Sequence, residues 1–177
     1  MQQNESRSHL MYSRFYEAGN DHMFQAPMTR RLLQYWREKA GARRHPAWPD
    51  INLIDIYDIA PNMMVRDAVD GGRDFLCRFC GTGLLAILGM DPTGRRLGDV
   101  YDDAGRDMML ERYRLVVEKD APVRVVGYVR VVERNLPTGF ECVMLPVGGD
   151  GEGVRTVMMV LDFSYEPSVE EAHKPEV

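Results

Sequence analysis

Cysteines, arginines and carboxylates are the side chains of this sequence that could do chemistry, and their spacing decides which chemistry is open. Cys77 and Cys80 spell CxxC, and Cys142 is the third and last cysteine. At a helix N-terminus such a pair would have a depressed thiol pKa and redox character. Here FLCRFC reads as an extended run, in which an offset of three puts the two side chains on opposite faces. A zinc site would need more ligands than Cys142 adds. Packing cysteines are therefore the expectation, and zinc is not. Arg66 and Arg78 sit in mid-strand among apolar neighbours. An arginine so placed can pair with a carboxylate such as Asp67 or Glu141, face solvent, or grip an anionic ligand in a cleft. The ion pair is the leading expectation. Asp67 and Glu141 are also the carboxylates an enzyme would use as acid or base. Nothing pairs them with a nucleophile or a metal, so no catalytic residue is assigned. Histidines at 9, 22, 45 and 173 all fall outside the expected core, which leaves a Ser-His-Asp or Cys-His arrangement without its base. The Gly-rich run 148–153, GGDGEG, lacks the Lys and Ser/Thr of a phosphate loop, and Asp150 and Glu152 would repel phosphate. It reads as a hairpin connection.

The 177 residues, 45% of them apolar, suffice for one domain with extensions. A net charge of −5 argues against a nucleic-acid surface. The local basic cluster of Arg30, Arg31, Arg37, Lys39, Arg43 and Arg44 reads as a solvated helix face. No window approaches the roughly 20 apolar residues needed to span a bilayer. No apolar core follows a charged start, so a secretory leader is not expected. An odd cysteine count does not suggest a disulfide framework. The expectation is a cytoplasmic protein with neither nucleic acid nor membrane as partner.

The elements that must position these residues come in a definite order. Residues 1–26 form a polar extension without sustained period, expected to be partly disordered or to carry a short helix near 10–18. Pro27 suits a first helical turn, and Leu32, Leu33, Trp36 and Ala40 form one stripe of an amphipathic helix ended by a left-handed Gly41. That helix and its connecting segment, 27–60, lie outside the later pattern and must cover something. Leu32, Leu33 and Trp36 are the candidate interface for a homodimer or a partner protein. A core over 61–166 begins with strands at 62–69 and 74–80, joined by the turn Asp70, Gly71 and Gly72. Thr82 caps a short helix bearing Leu84, Leu85 and Leu88 and stopped by Gly89. The helix at 104–119 should bury Met109, Tyr113, Val116 and Val117, with Glu111, Arg112, Arg114 and Glu118 on its remainder. Strands at 122–134, 139–147 and 155–165 follow, the first with Val123, Val125, Val129 and Val131 on one side. The C-terminal strands carry apolar residues at both parities, as in Val157 and Met158, so both sheet faces should be covered. The charged tail, 167–177, is expected to be disordered. This is an α+β pattern: an antiparallel sheet with a helical wall on one face.

The motifs RRHPAWPDI, IAPNMMVRD, RFCGT, GMDPTGRRL and ECVMLPV, with Trp36 and Pro122, occur in an order that resembles a PAS-like sensory family of small bacterial proteins. The resemblance spans about residues 28–165. It departs at Cys80, where the family more often has an aliphatic residue, and in the Gly-rich loop. It implies a five-stranded antiparallel sheet with helices between the second and third strands, and a sensory or protein-interaction module that often dimerises; with no catalytic residue assigned, an enzyme is not expected. It names no ligand. Flavin-binding relatives share the letters CRF, but there the cysteine lies on a wall helix and precedes Leu and Gln, so flavin is not expected. Haem relatives use a histidine on or near the long helix, and 104–119 has none, so haem is not expected either. A ligand, if bound, would sit between sheet and wall against Phe75, Cys77 and Phe79, with Leu84, Leu88, Tyr113, Val125 and Arg78. The twelve methionines suit a site of adaptable shape, though such residues serve a plain core equally well. A ligand-free interaction scaffold is the alternative.

Overall fold

A computed structural model describes residues 10–17, 21–131, 136–148 and 153–173. The central part of the Gly-rich loop, His9 and both chain ends lie outside the described residues, as does the end of the strand predicted to reach 134. Six strands form one sheet: β1 (Leu10–Glu17), β2 (Met63–Val69), β3 (Asp74–Cys80), β4 (Val123–Val131), β5 (Leu136–Val147) and β6 (Thr156–Asp162). Their spatial order is β1-β4-β5-β6-β2-β3, every neighbouring pair antiparallel. The α+β class is as expected, with one strand more. That strand is β1, which replaces the helix expected near 10–18 and pairs with β4 along its length. Tyr12, Phe15 and Tyr16 are strand formers, and the otherwise open edge of β4 supplies the partner that selects the extended form.

The helix α1 (Pro27–Ala40) lies on one face of the sheet, against β5 and β6. Leu32, Leu33 and Trp36 are buried there, with Met63, Val65, Val143, Leu145, Met158 and Val160 beneath. The indole Nε1 of Trp36 donates to the Pro146 carbonyl at 2.7 Å. These three residues therefore cover the chain's own sheet and are closed to a partner, which corrects their assignment as an interface. Gly41 ends α1 at φ 59° and ψ −122°, a positive φ but outside the left-handed helical region expected of it.

The opposite face carries the wall: α2 (Thr82–Leu88), α3 (Leu97–Val100) and α4 (Asp103–Lys119). Gly89 closes α2 in the left-handed conformation, φ 67° and ψ 9°, as the sequence predicts. Gly81, just before α2, is tied to close contact: a Cβ there would meet the Ala60 and Pro61 carbonyl oxygens at 2.1 and 2.3 Å. Only glycine lets strand β3 turn into the wall at that distance. A fifth helix, α5 (Val169–His173), forms in the segment expected to be disordered. It is held by Glu171, which accepts from Arg124 at 2.8 Å.

Candidate functional site

Between the wall and the sheet lies a cavity of about 100 Å³. Its floor is Met64 from β2, Val125 and Val129 from β4, and Met159 and Leu161 from β6. Phe140, Cys142 and Met144 of β5 complete the floor. Its roof is Leu84, Ile87 and Leu88 from α2, Tyr101, and Met108, Met109 and Arg112 from α4. The period of two explains the floor. Phe140, Cys142 and Met144 face the wall, while Glu141, Val143 and Leu145 between them face α1. A small apolar cavity of this kind admits an apolar molecule more readily than water. Its five methionines can re-pack around what enters.

Of the residues predicted for this cleft, Leu84, Leu88 and Val125 line it. Tyr113 lies behind them, its hydroxyl 3.8 and 3.6 Å from the sulfurs of Met64 and Met159, and its ring is stacked on Phe75 at 4.9 Å. Phe75 and Cys77 are buried on the wall side of the sheet, beside the cavity. Phe79 and Arg78 are on the other face. A bulge in β3 shifts the register, so that Val65 opposes Phe79 while Arg66 already opposes Cys77. Phe79 packs with the α1 cluster, and Arg78 is exposed, stacked over Trp48 at 4.6 Å and paired with Asp67 at 2.7 Å. The same bulge returns Cys80 to the wall side with Cys77, which corrects the expectation that the two cysteines face apart. Both thiols are pushed up by burial, Cys80 to about 12, the reverse of a redox-activated pair.

Arg112, predicted on the open side of α4, is buried on the cavity wall. Its guanidinium reaches the Ser13 hydroxyl on β1 and the Met109 sulfur. Burial pulls its pKa down to about 10. Sequence periodicity placed it among charged neighbours; the signal that marks it as inward is position, three residues after Met109 and one before Tyr113. Among the floor residues, Val129 shares the parity of Val125, and that parity was legible.

Glu141, the other candidate partner for an arginine, belongs to a separate network beneath α1. Its Oε1 accepts from Arg124 Nε at 2.6 Å, and its Oε2 from the Ala26 amide at 2.7 Å. The Thr29 hydroxyl lies 2.5 Å from Oε2. Asp162, opposite Glu141 in the β5–β6 register, accepts from the Met28 amide at 2.9 Å. Two sheet carboxylates thus supply the N-terminal cap that Ala26 cannot. His45, expected outside the core, is buried between the Gly148 carbonyl and Asp120.

A five-strand order β3-β2-β6-β5-β4 with helices crossing between the second and third of these strands in sequence, enclosing an apolar cavity, defines a sheet-and-wall α+β domain. A family model described as the PAS domain matches residues 24–161. The chain belongs to the PAS domain family, whose members serve as sensory and regulatory modules. None of the curated proteins compared matches the sequence. Among solved structures it is similar to a light-oxygen-voltage domain studied with a flavin analogue (13% identity, TM-score 0.44, 62% of this chain and 82% of that one). It is also similar to a Rhodobacter sphaeroides LOV protein (10%, 0.40, 68% and 73%). A third similarity is to an RNA-binding light-oxygen-voltage receptor (13%, 0.43, 63% of this chain), of which the chain spans only 33%. At such identities and scores, nothing of their light or RNA chemistry carries over. No helix among the described residues is long and apolar enough to cross a membrane.

Proposed function

We propose that this PAS domain is a cytoplasmic, non-enzymatic regulatory module that binds a small, largely apolar molecule in the cavity between sheet and wall. The observation that carries the reading is the cavity itself, walled almost wholly by apolar side chains in a protein whose other sheet face is closed by α1. Occupation would bias the wall helices, and the change would be read by a partner protein or a second copy of the chain. Because Leu32, Leu33 and Trp36 are buried, that contact has to use another surface. The test is methyl NMR of protein carrying 13C-methyl methionine, titrated with 1-hexanol. Saturable shifts are expected for Met64, Met108, Met109, Met144 and Met159, which line the cavity, and not for Met63 and Met158 beneath α1. Val125→Phe, which fills the cavity, should abolish them. A wild type with no saturable shift at the cavity methionines would sink the reading in favour of a ligand-free scaffold.

A further inference from the structure

Arg66 has a burial that its own partners do not explain. Its side chain is fully buried on the wall face of β2, and among the described residues it makes no ion pair. Its Nε lies 3.2 Å from the Met64 sulfur, a weak acceptor, and its guanidinium sits 5.8 Å from the centre of the Tyr113 ring. Nη1 and Nη2 have no hydrogen-bond partner. Burying a guanidinium costs more than a thioether and a ring face return. Arg124, buried across the sheet, shows the ordinary solution: it holds Glu141 at 2.6 Å and Glu171 at 2.8 Å. Asp67, the carboxylate next to Arg66 in sequence, faces away and is taken by Arg78 and Thr156.

Met64 joins Arg66 to the cavity. Met64 lines the cavity and also touches Arg66, and the Tyr113 hydroxyl spans the sulfurs of Met64 and Met159 on the same boundary. Met64 is unbranched, with three rotatable bonds, so its thioether can leave without moving the backbone. The Nε–H that now meets the thioether belongs to a planar guanidinium whose Nη1 and Nη2 have no hydrogen-bond partner, a fork that fits a carboxylate with two parallel hydrogen bonds. Arg112, on the cavity wall, adds a second positive charge. The cavity is thus largely apolar, with one guanidinium on its wall and another next to Met64.

We propose that the cavity takes a small organic monoanion, an apolar body with a carboxylate head, and that the head replaces the Met64 sulfur as acceptor for the Arg66 guanidinium. This rests on the reading that the cavity binds a ligand. A volume of about 100 Å³ suits a short chain or a small ring, enlarged by the movement of Met64. A phosphate head would bring a second charge into a site with little else to solvate it.

Three ligands of equal chain length decide the matter in the methionine-methyl titration at pH 7.5: hexanol, hexanoate and hexyl phosphate. Hexanoate is expected to bind at least tenfold more tightly than hexanol, with Met64 showing the largest shift. A nuclear Overhauser contact should join its α-methylene to the Met64 methyl. In Arg66→Met the preference should vanish while hexanol affinity stays within twofold. Hexanol binding as well as hexanoate would overturn the charged head and leave the cavity reading standing. Tighter binding of hexyl phosphate would overturn the carboxylate. If no ligand binds, both readings fall. Should Arg66→Met not fold, the α-methylene contact still decides: finding it at the half-buried Met108 instead of Met64 would overturn the role of Arg66.

Discussion

At the scale of single residues, the two faces of the sheet treat buried charge in opposite ways. On the α1 face, Arg124 and Glu141 are matched and fully hydrogen-bonded, and Arg124 also holds Tyr165 and Glu171. Removing one member of such a pair strands the other. Arg124→Leu is expected to lower unfolding free energy by about 3–5 kcal/mol in urea titration, and adding Glu141→Gln should restore part of it. An unchanged midpoint in the single variant would mean that the pair is not buried as described. On the wall face, burial holds the thiols and phenols neutral and pulls the guanidinium of Arg112 down to about 10. Cys142 and Tyr113 are pushed up by burial, and Cys80 reaches about 12. The sign of the pH effect follows. In the unfolded chain a thiol ionises near pH 8.5 to 9, whereas in the folded chain it keeps its proton. The folded state therefore binds more protons above that pH, and stability is lost as pH rises through 9 toward the folded values. Denaturation midpoints should be flat from pH 7 to 8 and fall from pH 9 to 10, below the range where Arg112 is mostly deprotonated, and less steeply in Cys142→Val. A midpoint that rises with pH would contradict the assignment.

At the scale of elements, what was legible in the sequence was local. Strand β3, helix α2 with its Gly89 stop, and helix α4 were read almost to the residue, because glycines and apolar period are written in consecutive positions, although Thr82 does not cap α2 and Gly81 stands at its N-cap. What was not legible depends on partners far along the chain. The bulge opposite Val65 is set by the pairing of β2 with β3, and it sends Arg78 and Phe79 to one face against the alternation that placed Phe79 in the cleft. Helix α1 looks uncapped in sequence, since Glu141 and Asp162 lie more than a hundred residues away. Strand β1 needs the edge of β4 before its aromatic residues read as a strand. Gly81 is the hinge where local and distant constraints meet. Gly81→Ala forces a Cβ within 2.3 Å of two carbonyl oxygens, so the wall must shift or β3 must end early. A loss of at least 2 kcal/mol, about the scale of an overpacked core, is expected from thermal unfolding, with the largest amide shifts in α2. A neutral substitution would show that α2 rides more loosely on the sheet than this contact implies.

At the scale of the whole molecule, the sheet is a single layer buried on both sides, and the two covers have different work. The wall carries the cavity and is lined by adaptable methionines. Helix α1 closes Val143, Leu145, Val147, Met158 and Val160, all of them inaccessible to solvent. The core predicted over 61–166 is therefore expected not to stand alone, although it contains five of the six strands and the entire wall. Without α1 those side chains would form a continuous apolar face, and Glu141 would lose the Ala26 amide and the Thr29 hydroxyl that satisfy it while buried. A chain beginning at Ala60 is expected to be insoluble or to bind a hydrophobic dye in a molten state, whereas one beginning at Asp21 should stay folded, having lost only β1. Exposed apolar patches of this size associate nonspecifically. The same logic bears on the expected interface. Replacing Leu33 and Trp36 together by Asp should unfold the protein, because it buries two carboxylates against β5 and β6. A soluble, folded variant that changed only its oligomeric state by light scattering would mean that α1 swings off the sheet to dimerise, and the division of labour between the two faces would have to be redrawn.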